Sequence, residues 1–129
     1  VTLSREIHAG LLARDIPEDI AELTRLNIPW FDLACIDFYP LQEEVAREGA
    51  TMASVIEKTD IGGPAMLRSA AKGRRLIAFE ALTREIVLRN LRNGTANEPK
   101  LRDRLAGLAE EHVSRYSRIS AEYILSQVG

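Results

Sequence analysis

One cysteine, Cys35, and two histidines, His8 and His112, are all that 129 residues offer a soft metal ion. A single thiol excludes an internal disulfide and fits a reducing compartment. Two histidines far apart in sequence make no ligand cluster, so neither a metal site nor a cofactor is expected. Long apolar runs are also lacking: the longest, Trp30 to Leu41, is interrupted by Asp32 and Asp37, too short for a membrane span. No signal-peptide pattern opens the chain, and the cytoplasm is the expected location. Neither sign of charge dominates, with 17 Lys and Arg against 19 Asp and Glu. A net charge of −2 creates no overall field to recruit nucleic acid or acidic lipid. Arg74-Arg75 and the arginines of the last segment are scattered among acids, which also argues against a nucleic-acid face.

What is present reads as one domain, residues 1–129, with enough apolar residues for a core but little to spare. Ala9 to Ala13 reads as a short strand fed by a loop. A helix capped by Asp15 follows, with Pro17, Glu18 and Asp19 in its first turn and Ile20, Leu23 and Leu26 on its buried face. Trp30 to Tyr39 is nearly continuous in apolar residues, the pattern of a strand covered on both faces. Pro40 stops it, and Asp37 and Tyr39 then stand at its carboxyl end, the usual ligand crevice of open α/β sheets. Thr51 caps a short helix burying Met52, Val55 and Ile56. Arg75 to Phe79 is a second strand. Glu80 to Arg92 reads as a helix buried through Leu82, Ile86 and Leu91, closed by Asn93-Gly94. Asn97 caps a last helix whose stripe runs Leu101, Leu105, Leu108, His112, Tyr116, Ile119, Tyr123. This alternation predicts a three-layer α/β domain with a parallel sheet.

The most distinctive stretch is Thr59-Asp60-Ile61-Gly62-Gly63-Pro64-Ala65-Met66-Leu67-Arg68-Ser69-Ala70-Ala71-Lys72. Proline suits a first helical turn, and paired glycines let a backbone approach a ligand closely. The free N–H groups of that helix start can hold an anion or a carbonyl oxygen. The same segment also reads as a plain loop-to-helix corner, with Met66, Leu67 and Ala70 as its core face. His8 and His112 read as structural, the second because it lies on the apolar stripe.

Asp-Ile-Gly-Gly-Pro-x-Met-Leu-Arg-x-Ala-Ala-Lys resembles the signature of the IMP cyclohydrolase domain of the bifunctional AICAR transformylase/IMP cyclohydrolase. Ile7-His8-Ala9-Gly10-Leu11-Leu12-Ala13-Arg14 and Asp32-Leu33 through Asp37-Phe38-Tyr39-Pro40 resemble two further pieces of that family in the same order. His112-x-x-x-Tyr116 is a weaker fourth match. The resemblance covers nearly the whole chain and implies a methylglyoxal-synthase-like fold, truncated at its N-terminus. It implies ring closure of formyl-AICAR to IMP, with a purine-precursor ribonucleotide as substrate. By resemblance Tyr39, Asp60 and Lys72 are the catalytic residues: Tyr39 donates to the formyl oxygen, Asp60 takes or orients a proton of the carboxamide nitrogen, and Lys72 steadies the oxyanion. Asp37, Ile61, Gly62 and Gly63 are the implied substrate-binding residues.

Departures accompany the match. Asp37 replaces a family asparagine, and an ionised carboxylate accepts hydrogen bonds without donating them. Gly73 follows Lys72 where the family has Asn, in a shorter connection. The family's Lys-Thr-Leu-His-Pro aligns with Val1-Thr2-Leu3-Ser4-Arg5, and its Ser-Thr-Gly-Gly phosphate loop has no counterpart here. A chain opening on Val1 implies excision from something longer, processing or an unusual start codon. Loss of the family's central strand implies bare sheet edges, and the long last stripe implies a homodimer. The rival expectation is a non-catalytic nucleotide-binding or structural relative.

Overall fold

Nine elements follow one another in the computed structural model, which describes all 129 residues. They are α1 (Arg5–Leu12), α2 (Pro17–Arg25), β1 (Leu33–Cys35), α3 (Leu41–Ala46), α4 (Met52–Glu57), α5 (Gly62–Lys72), β2 (Leu76–Ala78), α6 (Ala81–Asn93) and α7 (Pro99–Val128). The two strands pair in parallel, Leu33 opposite Leu76, Ala34 opposite Ile77 and Cys35 opposite Ala78. The architecture is therefore mixed α/β with a parallel sheet, as expected, but helices predominate and the sheet has only two strands.

Alternation along the strands decides which surfaces the helices cover. Ala34, Ile36, Ile77 and Phe79 point to one side and pack with Leu11 of α1, Leu67, Ala70 and Ala71 of α5, and Ala106 and Ala109 of α7. On the other side Leu76 and Ala78 pack with Val87 of α6 and Leu105 of α7. So β2 is sandwiched while β1 is covered on one face only, leaving Leu33 44% exposed and Cys35 exposed. The strand predicted over Trp30–Tyr39 to be buried on both faces is thus a three-residue strand with one bare face. No helix is long and apolar enough to cross a membrane.

Other differences have local causes. The segment read as loop and strand is α1: the Ser4 hydroxyl accepts the Ile7 N–H at 3.2 Å and starts a helix. Its Gly10 meets the Pro29 carbonyl and the Phe31 ring so closely that a Cβ would sit 2.5 Å and 2.6 Å from them. Asp15 does not cap α2, whose N-cap is Ile16 with no side-chain bond. Asp19 instead accepts from the Arg14 backbone N–H (2.8 Å) and pairs with its guanidinium. Leu23 is buried but Ile20 is exposed, and Ile56, Leu82 and Leu91 are exposed where burial was expected. In α6 the buried positions are Thr83 and Val87, because the Thr83 hydroxyl ties the helix start to the Phe79 and Glu80 N–H groups. For α7 the N-cap is Glu98, one residue beyond Asn97.

Several termini match their local chemistry. Thr51 and Ser54 form a reciprocal capping box on α4. Gly94 closes α6 at φ +71°, with nothing within 4 Å of the Cβ an alanine would add. Gly94→Ala is therefore expected to cost about 1 kcal/mol of stability, from the left-handed backbone alone. Urea unfolding of the two proteins measures it.

Candidate functional site

Beyond the carboxyl ends of β1 and β2 lies a cleft of about 710 Å³. Its floor comes from both strand ends and one helix. Phe38 follows β1, Phe79 follows β2, and the His112 ring of α7 lies between them, nearly parallel to each at centroid distances of 4.8 Å and 4.9 Å. Tyr116, one turn further along α7 and so on the same face, meets Phe38 edge-on at 4.9 Å. Burial in this stack pulls the His112 pKa below the usual histidine value, and Arg115 adds to the effect against Glu80. The protonated form of the imidazole is therefore disfavoured. Burial likewise pushes the Tyr116 hydroxyl up, reinforced by the Asp60 carboxylate and opposed by its hydrogen bond from the Asp60 backbone.

Asp60 is the joint of the site. One carboxylate oxygen accepts the Tyr39 N–H at 3.2 Å and the other accepts the Gly63 N–H at 2.9 Å. Its own N–H donates to the Tyr116 hydroxyl at 2.6 Å. One residue thus ties the end of β1, the start of α5 and the middle of α7 together. A small adjoining cavity of about 230 Å³ is lined by Asp60, Ile61 and Pro64, and shares Tyr116 with the main cleft. Gly63 is required where it stands, since a Cβ would lie 2.8 Å from the Asp60 carboxylate and 3.1 Å from the Phe38 ring.

The residues singled out from the sequence are only partly brought together. Tyr39 lines the cleft, is 61% exposed, and its hydroxyl has no hydrogen-bond partner within the chain. Asp37 also lines it but is engaged in an ion pair with Arg84 of α6. Ile61 is exposed at the start of α5. Gly62 is covered: Thr2 occupies the space its side chain would take, with the hydroxyl 1.8 Å from an ideal Cβ position. Lys72 does not join them. It ends α5, about 14 Å along the axis from Gly63 at 1.5 Å per residue, and lines a different cavity. His8 is held by Ser69 (2.7 Å) and the Thr2 carbonyl (3.1 Å), a structural placement as expected.

His112 and Tyr116, on the apolar stripe and the weakest of the four family matches, both line the cleft. Their four-residue spacing was visible; that Phe38 and Phe79 would enclose the histidine was not. The walls carry Asp37, Glu43, Glu80 and Glu122 against Arg115 and Arg118, so carboxylates outnumber cations. No three His, Cys, Asp or Glu side chains converge as a metal-ion site.

The bifunctional purine biosynthesis protein PurH of Limosilactobacillus reuteri (strain DSM 20016) is 37% identical over 131 aligned residues, spanning 99% of this chain. The chain aligns with the IMP cyclohydrolase part of PurH. PurH of Pediococcus pentosaceus is 40% identical over 126 residues and 95% of the chain, and PurH of Listeria monocytogenes 38% over 131 residues and 99%. The chain spans about a quarter of the length of these PurH relatives, 24% to 26%. No family model matches the chain. Among solved structures, the crystal structure of ForH is similar at a TM-score of 0.76 and 31% identity, over 95% of this chain and 65% of ForH. Departures from the PurH resemblance and the geometry coincide at two places: Asp37 is tied to Arg84, and Lys72 stands apart from Asp60.

Proposed function

We propose that this chain carries out the IMP cyclohydrolase reaction of purine biosynthesis, closing formyl-AICAR to IMP with loss of water. The observation that carries the reading is the alignment with PurH over 95–99% of the chain. In this reaction the carboxamide nitrogen attacks the formyl carbon, forming the new C–N bond, and gives up one proton. The former formyl oxygen leaves as water, taking a second proton from the formamido nitrogen. The protein has to hold the two groups together, donate to the developing oxyanion and move protons. Tyr39, with its unengaged hydroxyl at the cleft, is suited to donate. Asp60, held at fixed orientation by two backbone N–H groups, is suited to accept the carboxamide proton. Ile61 and Gly63 belong to the same binding turn. Lys72, at the far end of α5, lines the other cavity, and the step as written uses Tyr39 and Asp60.

A methylglyoxal-synthase-like fold, of which residues 1–129 form part, belongs to this reading, as do a cytoplasmic location and a homodimer covering the exposed Ile124, Leu125 and Val128 of α7. A second reading, a non-catalytic nucleotide-binding relative, is favoured by the Asp37–Arg84 pair, by Thr2 over Gly62 and by the excess of carboxylates in the cleft. Formyl-AICAR added to the purified chain, with IMP followed by absorbance, separates them. Turnover that falls about tenfold or more in Tyr39→Phe is the expected result. A folded protein with no turnover establishes the second reading.

A further inference from the structure

A cavity larger than the cleft lies at the other end of the molecule, before the amino ends of both strands, with a volume of about 970 Å³. Its charge is opposite to that of the cleft: Arg14, Lys72, Arg74, Arg75 and Arg102 face Asp15 and Asp32. Arg14 and Arg74 have carboxylate partners of their own in Asp19 and Asp103. The other three cations have none. Arg102 donates to the Arg74 carbonyl and the Asn97 amide oxygen. Arg75, only 3% exposed, donates to the Gly10, Ala13 and Gly73 carbonyls and lies 3.8 Å over the Trp30 ring. Its Nε is buried with no partner at all. Lys72 makes neither a hydrogen bond nor an ion pair within the chain.

A lysine at a helix C-terminus has an ordinary explanation in the helix dipole, but that end supplies only about half an elementary charge. It cannot balance Lys72, Arg75 and Arg102 together. Asp32 and Asp15 supply the remainder from a distance, with Asp32 engaged by the Trp30 indole N–H at 3.1 Å. Guanidinium groups whose partners are neutral carbonyls retain donor capacity for an anion, and a phosphate dianion matches their fork geometry better than a monovalent ion does.

We propose that this cavity is a binding site for the phosphate group of a small molecule, held by Lys72 and Arg102 above the Arg75–Trp30 stack and separate from the cleft at the carboxyl ends of the strands. Nothing in this site depends on ring closure occurring in the cleft. The cavity carries five cations against two carboxylates, a balance that favours a phosphate.

Trp30 is the only tryptophan and lies in the cavity, so its fluorescence reports occupancy directly. The full chain is titrated with inorganic phosphate, and separately with AMP, at constant ionic strength set with sodium chloride. The expected result is a saturable fluorescence change and a rise in Tm. Both weaken at least tenfold in apparent affinity in Lys72→Gln and in Arg102→Gln, and are unchanged in Arg89→Gln on the exposed face of α6. Tighter binding of AMP identifies a nucleotide as the source of the phosphate; tighter binding of inorganic phosphate identifies the free ion; either supports the site. No saturable change with no Tm shift, or equal weakening in Arg89→Gln, overturns it. Because the readout is binding, its failure is distinct from a failure of turnover.

Discussion

Asp60→Asn is expected to lower formyl-AICAR turnover about a thousandfold, the middle of the range for a positioned proton acceptor. The substitution removes the charge and almost nothing else. One amide oxygen remains to accept from either the Gly63 or the Tyr39 N–H, which the carboxylate holds at 2.9 Å and 3.2 Å. The amide NH2 then faces the other N–H, which loses its acceptor, for a stability cost of about 1–2 kcal/mol. Two quantities thus separate two roles. If Asp60 is a base, kcat collapses far beyond what that loss of stability explains. If it serves only as the joint between β1 and α5, turnover tracks the small loss of stability and stays within a factor of a few. A retained rate in Asp60→Asn would remove the acid from the mechanism and leave Tyr39 with a different partner.

Arg75→Met is expected to destabilise the fold by about 3 kcal/mol or more. Two effects oppose each other here. Burying a guanidinium is unfavourable, and the burial is what pulls the Arg75 pKa below its ordinary value, with Asp32 partly offsetting it. Exchanging a buried charge for a hydrophobe of similar volume is sometimes neutral or stabilising. That comparison holds when the partner leaves too. Here the Gly10, Ala13 and Gly73 carbonyls remain, at 2.9 Å, 2.8 Å and 2.7 Å from the lost donors. Gly10 keeps the Phe31 N–H at 3.2 Å, and each of the other two loses its donor at a cost of about 1–3 kcal/mol. Two such groups outweigh the relief of one desolvated cation. The Met side chain keeps contact with Trp30, so packing loss is not the cause. Urea unfolding decides: a change under 1 kcal/mol would show that water reaches the Ala13 and Gly73 carbonyls in the variant.

The contrast between these residues shows what a sequence can reveal. Asp60 stood out because Asp-Ile-Gly-Gly-Pro is a local pattern, and its bond to the Gly63 N–H spans only three residues. The helix ends at Thr51, Gly94 and Pro99 are equally local, and they lie where capping chemistry puts them. Arg75 was legible only as one of several scattered arginines. Its partners Gly10 and Ala13 lie more than sixty residues away, and no periodicity encodes that distance. The position of Arg74-Arg75 between the end of α5 and the start of β2 was the available signal. The helical state of α1 was hidden for a similar reason, since Gly10 is there to admit Pro29 and Phe31. The exposed faces of α6 mislead by count: Leu82 and Leu91 are more apolar than Thr83, but the threonine hydroxyl binds the turn leading into the helix. The family resemblance groups Lys72 with Asp60. An eleven-residue helix separates its two ends by more than a side chain can reach.

The uncovered side of β1 has a consequence for behaviour at high concentration. A strand with one unpaired edge and exposed Leu33 and Cys35 is a template onto which another molecule can add a strand, and repeated addition leads to aggregates. The flanks of this strand counter that route. Asp32 precedes it and Asp37 follows, with Pro29 and Pro40 just outside, and two copies laid edge to edge would bring those acids into proximity. Charge and proline at the margins are the usual gatekeepers of an apolar strand. The same two aspartates that break the longest apolar run in the sequence therefore flank its folded remnant on both sides.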